Sequence, residues 1–128
     1  MVYAHKRLGF TLIEMLISVG IISAMVAVGT LVVGAMNASR DSAYENTAFR
    51  IANGKLDELR AGGYDALPAS GQFDDAALAE LPQGSASTSV TVWNDETKKA
   101  TAGVSWLGVD GGTRFVSLTT LITQTGGL

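Results

Sequence analysis

Few residues in this chain can do chemistry, and their types narrow the options at once. The chain has no cysteine and a single histidine, His5. Disulfides and thiolate metal sites are therefore excluded. If the first few residues are removed, the rest also has no imidazole to act as a zinc ligand or general base. What remains is carboxylates. Asp74-Asp75, Asp95-Glu96 and Asp110 lie in turn-like stretches without the Asp-x-Asp-x-Asp-Gly spacing of a calcium loop, so they read as solvated turn residues. No catalytic residue, metal or cofactor is expected, which argues against an enzyme. Glu14 is of another kind. It stands in "HKRLGFTLIEMLISVG", His5 to Gly20, four residues inside an apolar run that begins at Phe10.

The elements that position Glu14 follow from that run. Met15 to Met36 is twenty-two residues without a charge, and the next charged residue is Arg40. As a helix rising about 1.5 Å per residue it reaches roughly 33 Å, enough for the ~30 Å hydrocarbon core of a bilayer. A secretory signal peptide has a shorter apolar region, and Gly34-Ala35-Met36 and Met36-Asn37-Ala38 match its small-residue cleavage pattern poorly. A membrane anchor fits the length. Lys6 and Arg7 before it orient the N-terminus to the cytoplasm. An anchor alone leaves Glu14 unexplained, because a carboxylate in lipid costs on the order of 2.5 to 3.5 kcal/mol at a helix centre and normally faces a protein partner. The bland reading places Glu14 at headgroup level. Small residues, among them Gly20, Ser23, Ala24, Ala27, Gly29, Gly34 and Ala35, permit close helix packing.

"KRLG" followed by "FTLIEML" and an uncharged run resembles the class III signal of type IV pilins and of the pseudopilins of type II secretion. That resemblance implies a leader at residues 1–9, cleavage between Gly9 and Phe10 by a prepilin peptidase on the cytoplasmic side, N-methylation of Phe10, and Glu14 as the fifth mature residue. It also gives Glu14 a partner, the new amine of a neighbouring subunit, so that the carboxylate acts as a register pin during assembly. The expected partners are the prepilin peptidase, other pilins or pseudopilins and an assembly-platform membrane protein. Many major pilins have proline at the twenty-second mature position, where this chain has Leu31, and a cysteine-closed C-terminal loop, which is missing here. Both departures favour a minor subunit.

Beyond the membrane the helix is expected to continue. Tyr44, Ala48, Ile51, Ala52, Leu56 and Leu59 recur at intervals of three and four, a stripe that a sheet must cover. Gly54 predicts a bend or a close approach to that sheet. Arg60 with Gly62-Gly63 reads as the helix end. Tyr64 to Ser87 has the composition of a connector, with a short helix in "DDAALAEL" stopped by Pro82. Then the period becomes two. "STSVTVW" points Val90 and Val92 to one side, "KATAGVSW" Ala100, Ala102, Val104 and Trp106, and "TRFVSLTTLIT" Val116, Leu118 and Ile122. Turns at "NDETKK" and "LGVDGG" join these three antiparallel strands. Trp106 is expected in the core. Trp93, on the opposite face, is either core at the rim of the sheet or exposed to a neighbouring subunit or ligand. Lys98-Lys99 reads as a solubilising edge feature or a contact for an anionic surface.

The predicted fold is α+β: a long N-terminal helix, its first half transmembrane, on a small antiparallel sheet of about three or four strands. Residues 10–36 form the membrane and assembly half and 37–128 the extracytoplasmic domain. "KLDELRAGGY" and the strand sequences resemble, more loosely, V-type minor pilins (type IV pilus modification proteins) and I-type minor pseudopilins. The resemblance implies a prepilin processed to a structural, minor subunit that leaves the cytoplasmic membrane for an extracellular or periplasmic fiber. The alternative is a single-pass anchored binding module that never polymerises. Nine basic residues oppose twelve acidic ones, and loss of Lys6 and Arg7 makes the mature chain more acidic. No nucleic-acid contact is expected of such a surface.

Overall fold

The computed structural model describes residues 9–126. Helix α1 runs from Leu12 to Gly62, and four strands follow: β1 (Gly71–Phe73), β2 (Ser85–Asn94), β3 (Thr97–Leu107) and β4 (Thr113–Thr123). The sheet order is β1-β2-β3-β4 with every neighbour antiparallel. The chain divides into two units, Met1–Asn37 and Ala38–Leu128.

In the second unit, the predicted stripe is the face of α1 that meets the sheet. Ala48, Ile51, Ala52, Leu56 and Leu59 are buried and share one core with Ala86 of β2, Ala100, Ala102, Val104 and Trp106 of β3, and Ile122 of β4. Alanines on both sides (Ala48, Ala52, Ala100 and Ala102, all fully buried) leave short side chains between helix and sheet. The larger Ile51, Leu56, Val104 and Trp106 fill the space around them, as a densely packed interior requires. The alternation holds along β3, the central strand most covered by α1. α1 ends where Gly63 takes φ 77° and ψ 177°, a backbone region essentially reserved for glycine, and its N–H donates to the Arg60 carbonyl at 3.2 Å.

Several expectations are corrected. The connector contains β1, paired to β2 through Gly71↔Thr88 and Phe73↔Ala86. The short helix expected in "DDAALAEL" is present, as a 3-10 helix over Ala76–Glu80 that ends before Pro82, with the Asp75 side chain accepting the Ala77 N–H. Gly54 does not interrupt α1 and makes no close approach to the sheet: the helix is continuous through it, and a Cβ there would meet nothing within 4 Å. Val92 lies on the predicted side but is 72% exposed, because the register shifts between Val92 and Asn94 at the end of the sheet, outside the shared core. Trp93 is 61% exposed and not part of the core. Lys98 and Lys99 are on a central strand and not at an edge. The Lys98 ammonium lies 4.2 Å from the centre of the Tyr64 ring and donates to the Tyr64 carbonyl, while Lys99 reaches the Trp93 ring at 5.8 Å.

Candidate processing and assembly site

Gly9 and Phe10 precede the helix, outside regular secondary structure, with Phe10 76% exposed. Thr11 is the cap of α1. Its hydroxyl accepts the Glu14 N–H at 3.3 Å, and its carbonyl accepts the Met15 N–H at 3.1 Å, opening the helical ladder. One of the helix's orphan N–H groups is thereby satisfied. Thr11-x-x-Glu14 is the sequence pattern of a capping box. The charge of Glu14 does not reveal the role of Thr11, but the T-x-x-E spacing does. Glu14 sits in the first turn, where the positive end of the helix dipole favours a carboxylate. Among the described residues its carboxylate has no hydrogen bond or ion pair.

From Leu12 to Met36 the large apolar side chains are all exposed. α1 is long and apolar enough to cross a membrane, and none of its most apolar window is buried. The hydroxyls in this stretch look after themselves: Ser18 donates to the Glu14 carbonyl, Ser23 to Val19 and Thr30 to Ala27, each at 2.8 Å. Polar groups closed on their own helix are what lipid demands. Glu14 is thus the one charged group on an otherwise apolar surface. Lys6 and Arg7 lie outside the described residues.

In the second unit the acidic residues do structural work. Asp41 of α1 accepts the Val109 N–H at 3.1 Å through Oδ1 and the Arg114 guanidinium at 3.4 Å through Oδ2. Arg114 also donates to Asp110 at 3.1 Å. The Gly112 N–H donates to the Asp110 carboxylate, and this bond, with the Arg114 charge, holds the Asp110 pKa below its ordinary value of 3.8. A Cβ at Gly108 would come within 2.9 Å of Asp110 Oδ1 and 3.0 Å of Arg114 Nε, so a larger residue there would push these two side chains aside. A cavity of about 150 Å³ beside the cluster is lined by Asp41, Glu45, Trp106 and Arg114. The buried indole Nε1 of Trp106 has no partner among the described residues. Asp95-Glu96 forms the two-residue turn between β2 and β3. No three His, Cys, Asp or Glu side chains converge as a metal site among the described residues.

Residues 4–30 match the model of the prokaryotic N-terminal methylation motif. Comparisons with curated proteins and with solved structures return no match. The chain therefore carries a class III signal, and its fold, one long apolar N-terminal helix with a four-stranded antiparallel sheet, is α+β and pilin-like. The motif marks a prepilin-type substrate of type IV pilus or pseudopilus systems, a structural class that is normally not enzymatic. With the apolar helix near the N-terminus it points to a single-pass membrane-anchored protein.

Proposed function

We propose that the chain is a prepilin cut between Gly9 and Phe10, methylated on the Phe10 amine, and built as a minor structural subunit into a type IV pilus or a type II secretion-like pseudopilus. The observation that carries this is Glu14, a carboxylate with no partner among the described residues, in the first turn of an exposed apolar helix, directly behind a class III signal. Hydrolysis of the Gly9–Phe10 bond creates an amine four residues before it. While each subunit stands alone in the bilayer, Glu14 is held at the helix start by the dipole and the Thr11 cap. When apolar helices pack together, the amine of one subunit and Glu14 of the next meet in a low-dielectric setting. There the pair attracts strongly, and either charge alone is penalised. The helix thus packs in a single axial register. Lys6 and Arg7 keep the leader on the cytoplasmic side for the prepilin peptidase, and residues 37–128 stand outside. Leu31 and the absence of cysteine support a minor role.

The test is Glu14→Ala in cells that make the fiber. Cleavage should be normal and entry into sheared fibers should fall at least tenfold, consistent with the roughly 3 to 5 kcal/mol lost when one partner of a buried pair is removed. Wild-type levels of Glu14→Ala in fibers would refute the register mechanism.

A further inference from the structure

We infer that the free edge of β4 is a docking site for an extended segment of another polypeptide, which adds to the sheet as a further strand. β4 closes the sheet on one side, with β3 as its one neighbour. Which of its main-chain groups face outward follows from the register. The Gly108 N–H donates to the Gly112 carbonyl at 2.7 Å and the Gln124 N–H to the Glu96 carbonyl at 2.9 Å, and β3 and β4 keep one register between these two pairs. In an antiparallel ladder only every second residue exchanges bonds with the residue opposite. The even-numbered residues of β4 therefore bond to β3, and Phe115, Ser117, Thr119 and Leu121 turn their N–H and C=O groups to the open side. Among the described residues these groups have no hydrogen-bond partner. Donors and acceptors repeating every two residues, about 7 Å apart, match the main chain of another extended polypeptide.

Proteins normally blunt an open edge by brevity, proline, charge or a bulge. The opposite edge of this sheet is blunted. β1 is three residues long, and beyond it the Ser70 hydroxyl accepts the Val90 N–H at 2.8 Å and donates to the Val90 carbonyl at 3.4 Å. β4 has none of these devices. It is eleven residues long, its register against β3 does not shift, and from Phe115 to Thr123 it contains neither proline nor charge. Arg114 at its start is held by Asp41 and Asp110. Lys99, opposite Leu121, lies one strand inside the edge with its ammonium 5.8 Å from the centre of the Trp93 ring. Space is also left beside the strand: a groove of about 920 Å³ is lined by Thr119 to Thr123 together with Arg60 and Gly63, and the cavity of about 150 Å³ is lined by Arg114, Phe115 and Val116. On the side facing α1, Val116 and Leu118 pack against the core but are only partly buried. The segment that fits carries apolar side chains at alternate positions on that side, where cross-strand neighbours complete the cover of Val116 and Leu118.

The inference rests on the second unit alone and does not depend on polymerisation. Full-length protein in detergent is titrated with a capped Thr-Val-Thr-Val-Thr-Val-Thr peptide, long enough to span Phe115 to Leu121, and amide hydrogen exchange is followed residue by residue. In the free protein the amides of Phe115, Ser117, Thr119 and Leu121 should exchange fast and those of the even-numbered residues of β4 slowly. Saturating peptide should slow the edge amides about tenfold or more, as closure of an exposed main chain does. When the valines face α1, the threonine N–H groups meet β4 and the valine N–H groups point away. A peptide N-methylated at its threonines should therefore fail to bind, and one N-methylated at its valines should bind. Ser117→Pro removes one outward N–H and leaves the bonds to β3 in place, which an edge strand tolerates; it should unfold near the wild-type temperature and bind the peptide about tenfold or more weakly. Should that variant fail to fold, exchange in the wild-type chain with the two methylated peptides decides. Edge amides already protected in the free protein, no binding of the unmodified peptide, or binding undiminished by methylation of the threonines overturns the inference. Protection of the same amides that grows with protein concentration alone would seat a second copy on the edge and overturn it as well.

Discussion

Gly54→Ala should stabilise the second unit. Gly54 lies within α1, exposed, and a methyl group there meets no atom within 4 Å. The substitution therefore adds no clash and removes no contact. What changes is the helix preference, about 0.8 to 1.0 kcal/mol in favour of Ala in a helix interior, part of it through the smaller entropy of the unfolded chain. One kcal/mol moves the midpoint of a 60–100-residue domain by roughly 4 to 8 °C, so Tm should rise by about that amount. The assay is thermal unfolding of the full chain in detergent, followed by the fluorescence of Trp106, which is 4% exposed and should shift to the red as the core opens. A lower Tm would refute the reasoning, because it would mean that Gly54 makes a close approach the structure does not contain. A higher Tm with poorer fiber entry would leave the fold argument standing and place Gly54 against a neighbouring subunit.

The Asp41 cluster supplies two further outcomes. Asp41→Ala removes the acceptor of the Val109 N–H and one partner of Arg114. It should cost about 1 to 2 kcal/mol, the bond to the main chain giving roughly 1 and the solvent-screened ion pair at most about 1, read as a lower Tm in the same assay. Asp110 titrates below its ordinary value of 3.8 in the folded chain. Its contribution is then fully present above the ordinary carboxylate range and is lost as pH falls through the depressed value. Asp110→Asn should be less stable than wild type at neutral pH, and the two proteins should converge in acid below 3.8; a gap that persists there would contradict the assignment.

Periodicity made much of this fold legible. The stripe from Ala48 to Leu59 and the alternation from Ala100 to Trp106 are local patterns with a burial cost attached, and both lie where α1 covers the sheet. β1 escaped because Gly71-Gln72-Phe73 is too short to show a period and becomes a strand only through its register with β2. Val92 is exposed for a related reason: alternation says which side a residue faces, but how far the covering helix extends decides whether that side is dry, and Trp93, for which both outcomes were open, is exposed. Gly54 shows the limit of reading glycine as a signal, since nothing near it requires the missing side chain. The bond between Asp41 and Val109 joins residues 68 positions apart, which no local pattern announces. At the N-terminus almost everything needed lies within ten consecutive residues, which is why the signal could be read there, while the Thr11 cap was written in plain view as T-x-x-E.

As proposed, cutting the bond between Gly9 and Phe10 is what gives Glu14 an amine to meet. The most direct measurement is the mass of the intact protein, with sequencing of its N-terminal peptide, after purification from a host that has a prepilin peptidase. The expected result is a chain beginning at Phe10, methylated on its amine. A chain that retains residues 1–9, or one that begins near Ala38, would contradict it.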